Sequence, residues 1–309
     1  MKIALIGPED REELVRVAIR LEERSGEAIF LDPRQDPRIE IGPDHATACG
    51  VDLAPVQGVY VADLGLPSPV VRRLDGSLDA EASARALATS RRRLVTWNAL
   101  LERLATRGRV INPPHTHELH GLKPFEVESY RLAGLPVPWT RATSDPAALS
   151  SPPSGGPLWV SKGLVGGHGY TEAFVPPSPD EARRLVSENG AVLVQERIEG
   201  DCVRAYVLEG RIIGAARIFS REGSETDSRR GETRVDRCEL PAEAAEVAVK
   251  AAERFGLVFA AVDLMRDEVG RRYVLLEANS SPFFLAFERT TGFGISSHLA
   301  DALMGRRRH

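Results

Sequence analysis

Two apolar runs near the carboxyl end constrain this 309-residue chain more than any other feature. Residues 258–265 carry one acid, Asp263, and residues 273–279 end on Glu277 and Asn279. Both runs are of strand length and rich in β-branched, aromatic and aliphatic residues. Residues 266–271, charged and holding Gly270, read as the hairpin loop between them. Alternate residues of a strand share a face, so Glu277 and Asn279 point the same way. A turn centred on Val269 or Gly270 sets Asp263 on that face too. Three oxygen ligands then converge as a hard cation, Mg²⁺ or Mn²⁺, requires. Mg²⁺ keeps waters and is completed by substrate phosphates, so the pattern predicts a nucleotide. The bland alternative is one satisfied acid in each strand. It is the weaker reading, because buried acids seldom stay unpaired and these line up in register.

The length suits two or three lobes sharing a cleft. Apolar residues at 42% and charged residues at 27% place the chain among ordinary globular proteins. A net charge of −4 argues against nucleic acid or an anionic membrane as partner. The longest apolar runs are strand length, so no membrane span is expected. Strand-like residues 2–6 open the chain, which leaves no room for a signal peptide. Cys49, Cys202 and Cys238 are isolated and odd in number. They argue against a disulfide framework or zinc site and fit a reducing cytoplasm.

Residues 1–112 alternate strand and helix patterns. Strand 2–6 leads to a helix with Asp10 as N-cap, Glu13 at the capping-box position and Gly26 past its end. Strands near 28–31 and 57–61, a helix over 80–107 and a strand at 109–112 follow, which predicts a parallel sheet. No Gly-x-Gly-x-x-Gly follows Gly7, so a dinucleotide fingerprint is absent. Asn112-Pro113-Pro114 marks a boundary. A helix over 123–133 has Pro124 in its first turn and Gly134 after it. Residues 144–157 read as a loose loop. Strands at 158–162 and 171–175 flank a Gly-rich turn. A helix over 179–189 carries Ser178 as N-cap, Glu181 and a closing Gly190, ahead of strand 191–196. Residues 203–220 form a hairpin turning at Glu209-Gly210. Residues 221–237 read as a charged loop, and Pro241 opens a helix ended by Gly256. The expected domains are 1–112, 113–192 and 193–309.

The Gly-rich turn, Lys162 through Gly166, Gly167 and Gly169, lets backbone N–H groups close on phosphate oxygens, with Lys162 as a point charge at its base. Alone it is a weak signal, equally a flexible turn. Lys123, read alone, is an ordinary solvated lysine. In order, however, these features resemble the ATP-grasp superfamily, most closely the RimK-like carboxylate–amine ligases, from about Asn112 to the end. The resemblance implies an α/β fold, α+β in its catalytic part. An N-terminal parallel-sheet domain would precede a small lid subdomain and a C-terminal antiparallel-sheet domain. It also implies that Lys123 and Lys162 meet the ATP phosphates under a lid of Gly166, Gly167 and Gly169. Gln195, Glu196 and Ile198 match the adenine hinge, Asp263, Glu277 and Asn279 the metal triad, and residues 288–292 the segment after it. Departures accompany the match: Gly163 stands where the family usually has Pro, and Thr171 where the loop usually ends in Gly. Cys202 replaces the acid two residues before Arg204, so ribose binding is expected at Glu199 or Asp201. Arg204 is expected to face phosphate. Asp227-Ser228-Arg229 resembles an Asp-x-Arg loop in which the Arg holds a substrate carboxylate, with Arg217 and Arg230 as assistants.

That resemblance implies ATP and Mg²⁺ (or Mn²⁺) used to activate a carboxylate as an acyl phosphate and join it to an amine, releasing ADP and phosphate. The metal and cationic side chains offset the charge of phosphoryl transfer, and a lid keeps water from the intermediate. Two other readings stand beside it. One is a peptide-tailoring ligase forming ester or amide crosslinks in a ribosomal peptide, motivated by the Asp-x-Arg loop. The other is a nucleotide-binding protein without turnover, motivated by the altered lid and Cys202. The partners expected are a small-molecule carboxylate and amine, or a peptide or carrier protein, with a homo-oligomer as a further expectation. His115, His117 and His120 read as a surface loop rather than a metal site. His168 reads as a turn residue, residues 283–287 as core, and Arg306 to Arg308 as a solvated tail.

Overall fold

The apolar run at the start of the chain forms β1 (Lys2–Ile6), buried from Ile3 onward, and the amphipathic segment after it forms α1 (Glu12–Glu22). The computed structural model describes residues 1–66, 71, 79–150, 159–164, 172–220, 233–267 and 272–306. β2 (Glu27–Leu31), β3 (Ile39–Ile41), β4 (Ala46–Ala48), β5 (Val51–Asp52), β6 (Val56–Val61), α2 (Ala80–Ala105) and β7 (Arg109–Ile111) follow. Next come α3 (Lys123–Leu132), β8 (Thr140–Thr143), α4 (Pro146–Leu149), β9 (Trp159–Lys162), β10 (Glu172–Phe174), α5 (Pro179–Asn189) and β11 (Val192–Glu196). The chain continues through β12 (Gly200–Leu208), β13 (Arg211–Ser220), β14 (Thr233–Arg237) and α6 (Ala242–Arg254). It closes with β15 (Phe259–Asp267), β16 (Tyr273–Asn279), α7 (Leu285–Thr291) and α8 (Ile295–Leu303). Among the described residues no helix is long and apolar enough to cross a membrane.

One compact unit comprises Met1–His117, Ser281–Glu288 and Gly294–His309. Its sheet runs β2-β1-β6-β7, all parallel, as the alternating pattern predicts. Trp97, Leu100, Leu101 and Leu104 of α2 bury against Ala4, Ile6, Val59 and Val61. β3, β4 and β5 form a small antiparallel meander, with strands too short for period-two reading. The carboxyl-terminal helix departs from the expected boundary at 193–309. Its buried face, Ile295, Leu299, Ala300 and Leu303, belongs to this unit. Arg24 donates to Asp301 through Nε at 2.5 Å and Nη2 at 3.3 Å, and Arg109 donates to the Ala302 carbonyl at 2.8 Å. The N-cap of α1 is Arg11 rather than Asp10, without a side-chain cap. Glu13 turns inward instead and accepts from Arg11 Nε at 3.4 Å.

The second unit, Glu118–Ser280 with Arg289–Phe293, holds two antiparallel sheets, β10-β9-β11-β8 and β14-β13-β12-β15-β16. Ser178 Oγ accepts from Glu181 N at 3.3 Å at the start of α5, and Gly190, with φ of 74°, ends it. Glu209 and Gly210, at φ of 51° and 72°, make the two-residue turn between β12 and β13, the geometry that matches strand twist. Val203, Ala205, Val207, Val262, Leu264 and Leu275 line one face of the larger sheet and bury against Ala244, Ala248 and Ala251 of α6. Residues 233–237, expected as loop, form the edge strand β14. Pairing with β13 supplies their backbone partners, and the Arg234 guanidinium lies 4.8 Å over the Phe219 ring.

Candidate functional site

The face of the larger sheet opposite α6 carries Arg204 beside apolar residues such as Tyr206 and Phe259, and the register of β15 on β16 decides which polar residues meet there. Near the turn Arg266 faces Tyr273, Met265 faces Val274 and Leu264 faces Leu275. This register differs by one residue from the one that sets Asp263 opposite Glu277. Continued unbroken, it would set Asp263 opposite Leu276, with Glu277 on the other face. A β-bulge at Asp263/Leu264 takes up the extra residue, and beyond it Asp263 faces Glu277 and Ala261 faces Asn279. The three expected ligands therefore share a face. Asn279 Nδ2 donates to Asp263 Oδ2 at 3.3 Å and to Glu277 Oε1 at 3.2 Å.

Two cations neutralise these carboxylates. Arg204, opposite Asp263 on β12, donates through Nε and Nη2 to its two oxygens at 2.7 and 2.8 Å, a bidentate pair. Asp263 holds the Arg204 guanidinium well above its ordinary range. Arg204, expected to face phosphate, is thus seated on a candidate metal ligand. Lys123, the first residue of α3, pairs with Glu277. Cys202 shares the Arg204 face two residues earlier. Burial, then Asp263, pushes its thiol up to about 12, while Arg204 and Lys162 pull the other way. Lys162 also acts on Glu126, so both lysines belong to one electrostatic neighbourhood.

Sequence reasoning passed over Glu126. It is buried on α3, and its Oε1 accepts the Ala278 N–H at 2.8 Å and the Tyr130 hydroxyl at 3.1 Å. Burial pushes its carboxyl up, opposed first by Lys123 and then by those hydrogen bonds. The available signal was its place three residues after Lys123, on the same helix face.

Other expected residues scatter. Asp201 does not join the group: the pleat turns it to the opposite face from Arg204, where it pairs with Arg217 and Arg266 at 3.6 and 3.8 Å. Arg217, expected as an assistant, lies there too. Gln195 is buried and donates to Thr140 Oγ1 at 2.9 Å. Glu196 is committed to Trp139: its Oε2 accepts the Trp139 N–H at 3.1 Å and its own N–H reaches the Trp139 carbonyl at 2.8 Å. In the irregular link after β11, Ile198 is half-buried and Glu199 exposed. Gly166, Gly167, Gly169, His168, Thr171, Asp227, Arg229 and Arg230 lie outside the described residues, as does the side chain of His120. Among the described residues no group of three or more His, Cys, Asp or Glu side chains is placed to hold a metal; the candidate set here is two carboxylates, Asp263 and Glu277, with the carboxamide of Asn279.

Residues 156–303 match the RimK-like ATP-grasp domain family. The ATP-grasp ligase PsnB complexed with minimal precursor is similar over 99% of each chain, at 27% identity and a TM-score of 0.81. The same ligase with a phosphomimetic variant of minimal precursor, Mg and ADP matches at 28% identity and 0.81. Macrocyclase MdnC from Microcystis aeruginosa, bound with precursor peptide MdnA, has a TM-score of 0.75 at 19% identity, a likeness of fold alone. A probable alpha-L-glutamate ligase of a Picosynechococcus species is 29% identical over 191 residues, and the tetrahydromethanopterin:alpha-L-glutamate ligase of Methanosarcina acetivorans 34% over 155. These two matches cover 59% and 44% of this chain, which in turn spans 62% and 48% of the length of those relatives.

Proposed function

We propose, from the match of residues 156–303 to the RimK-like ATP-grasp domain family, that this protein is an ATP-dependent ligase. It activates a carboxylate as an acyl phosphate, passes the acyl group to an amine, and releases ADP and phosphate. The observation that carries the reading is the meeting of Asp263, Glu277 and Asn279 on one sheet face, with Arg204 and Lys123 on the two carboxylates. These hard oxygen donors suit Mg²⁺ or Mn²⁺. Bound there, the cation would offset the charge that develops on the transferred phosphoryl group.

The chain's own residues do the rest. Arg204 and Asn279 hold Asp263 in one orientation, and Lys123 does so for Glu277. In this reading Lys123 and Lys162 bring positive charge to the nucleotide phosphates, with Gly166, Gly167 and Gly169 as its lid. Gln195, Ile198 and Glu199 flank the base and ribose, and Cys202 takes the place of an acid. Arg204 and Arg229 align the acceptor carboxylate with the γ-phosphate, since two anions meet only where fixed cations reduce their repulsion.

A peptide is the acceptor favoured within this reaction class. Likeness to PsnB extends over both compact units of this chain, whereas likeness to the glutamate ligases covers 59% of it or less. When donor and acceptor share one chain, such a ligation forms a crosslink within the peptide: an amide with an amine, or an ester where a side-chain hydroxyl takes the place of the amine and phosphate leaves. Three free cysteines support a cytoplasmic location as part of the proposal.

ADP release, measured with acidic precursor-like peptides and separately with L-glutamate plus amine acceptors, tests the proposal. Product mass distinguishes the two: a crosslinked peptide loses one water per bond, and a ligated one gains an amino-acid residue. Glu277→Ala is expected to abolish metal-dependent ADP release while circular dichroism stays that of the folded chain. Wild-type turnover in Glu277→Ala would sink the site assignment. Nucleotide binding without ADP release over the whole substrate panel would sink the ligase reading.

A further inference from the structure

We infer that Glu126 is a positioning residue: from α3 it fixes the backbone between Glu277 and Asn279, and so the spacing of two ligands in the proposed cation site. The inference rests on that reading of Asp263, Glu277 and Asn279. β16 is the last strand of its sheet, so one side of it has no neighbouring strand to pair with. Outward N–H groups on such an edge need other acceptors. Leu275 N–H finds the Pro136 carbonyl at 2.7 Å, and Ala278 N–H finds Glu126 at 2.8 Å.

The choice of a carboxylate for this job is informative. Glu126 is 3% exposed, and burying an acid is costly where a neutral acceptor would serve as well. Lys123, one turn earlier on the same face and paired through its ammonium with Glu277, opposes the burial that pushes this carboxyl up. Helix α3 therefore grips β16 twice, by Glu126 on the backbone and by Lys123 on the side chain before it. Tyr130, one turn further on, donates its hydroxyl to the same Glu126 oxygen at 3.1 Å and fixes the rotamer. Without Glu126 the Ala278 amide is left unsatisfied on a buried edge, and the Glu277–Asn279 geometry loosens although neither ligand has changed.

Mn²⁺ binding in the presence of ADP, followed by electron paramagnetic resonance, gives a readout independent of turnover. Its companion is the Mg²⁺ concentration for half-maximal ADP release. Substitution of groups that orient metal ligands weakens metal affinity about 10–100-fold, and Glu126→Leu is expected to raise both constants about tenfold, with little change in maximal rate at saturating metal. Glu126→Gln, which keeps an acceptor oxygen at the same reach, is expected to shift them less than about threefold. Val127→Ala, a buried change on the same helix, controls for lost packing and should leave Mn²⁺ affinity unchanged. Should Glu126→Leu not fold, Glu126→Asp takes its place, with an acid too short to reach Ala278 and an expected intermediate loss. Mn²⁺ affinity within twofold of wild type in the Leu or Asp variant would overturn the inference, as would an equal loss in Val127→Ala. Absence of Mn²⁺ binding in the wild-type protein would instead overturn the cation site itself, and the inference with it.

Discussion

Replacing Arg204 by Gln tests the charge balance of the site most directly. Arg204 and Asp263 stand opposite each other on β12 and β15, with side chains 31% and 10% exposed. Breaking a buried pair by removing one partner costs about 3–5 kcal/mol, because the survivor is left charged and poorly solvated. Arg204 keeps roughly a third of its exposure, and Asn279 still donates to Asp263 at 3.3 Å. The lower end, about 3 kcal/mol, is therefore expected. At roughly 2–4 °C per kcal/mol for a unit of this size, melting should fall by about 6–12 °C without divalent cation. Mg²⁺ should restore much of the loss. A ligand that binds only the native state at a hundred times its Kd contributes about 2.7 kcal/mol, and in the variant the cation also replaces the missing counter-charge. Thermal melts with and without Mg²⁺, on wild type and variant, measure both effects. Equal melting temperatures without metal, or equal Mg²⁺ shifts in the two proteins, would refute the reasoning.

Two further predictions concern Gly58, in the amino-terminal unit, and Cys202, beside Arg204. Gly58→Ala adds a Cβ only 2.8 Å from both the Leu303 carbonyl oxygen and Ile3 Cδ1, where backbone cannot yield cheaply. A loss of about 1–3 kcal/mol is expected in thermal melts, with faster proteolysis at α8; unchanged melting would mean that this helix does not lie against β6. The Cys202 thiol, raised to about 12 by burial and Asp263, favours its neutral form in the fold, so its contribution to stability is complete below the unfolded value near 9.0 and is lost as pH rises from there toward 12. Cys202→Ala should flatten that alkaline loss, and native Cys202 should resist alkylation at pH 9 by about five-hundredfold on thiolate fraction alone; alkylation as fast as in denatured chain would contradict it.

Local signals in the chain carried a large part of the architecture. Ser178, Glu181 and Gly190 bound α5 where capping chemistry puts its ends, and Glu209-Gly210 turns the β12–β13 hairpin through two positive φ angles. The shared face of Glu277 and Asn279 follows from strand periodicity and needs no fold to enforce it. Asp263 is different. Its parity with Glu277 depends on a bulge that no composition rule marks, because register is settled by pairing between strands rather than within one.

The same physics separates the rest. Asp201 and Arg204 look like neighbours along the chain, yet the pleat sends them to opposite faces, and Asp201 meets Arg217 and Arg266 instead. Glu126 acquires its partner 152 residues away, through a backbone amide that any residue at position 278 except proline would present. Residues 233–237 become a strand because β13 offers an open edge, and α8 joins the amino-terminal unit because its apolar face packs there. Caps, turns and alternation are local energies that a dozen residues determine; register, edges and buried hydrogen-bond partners are properties of surfaces that exist only once distant segments have met.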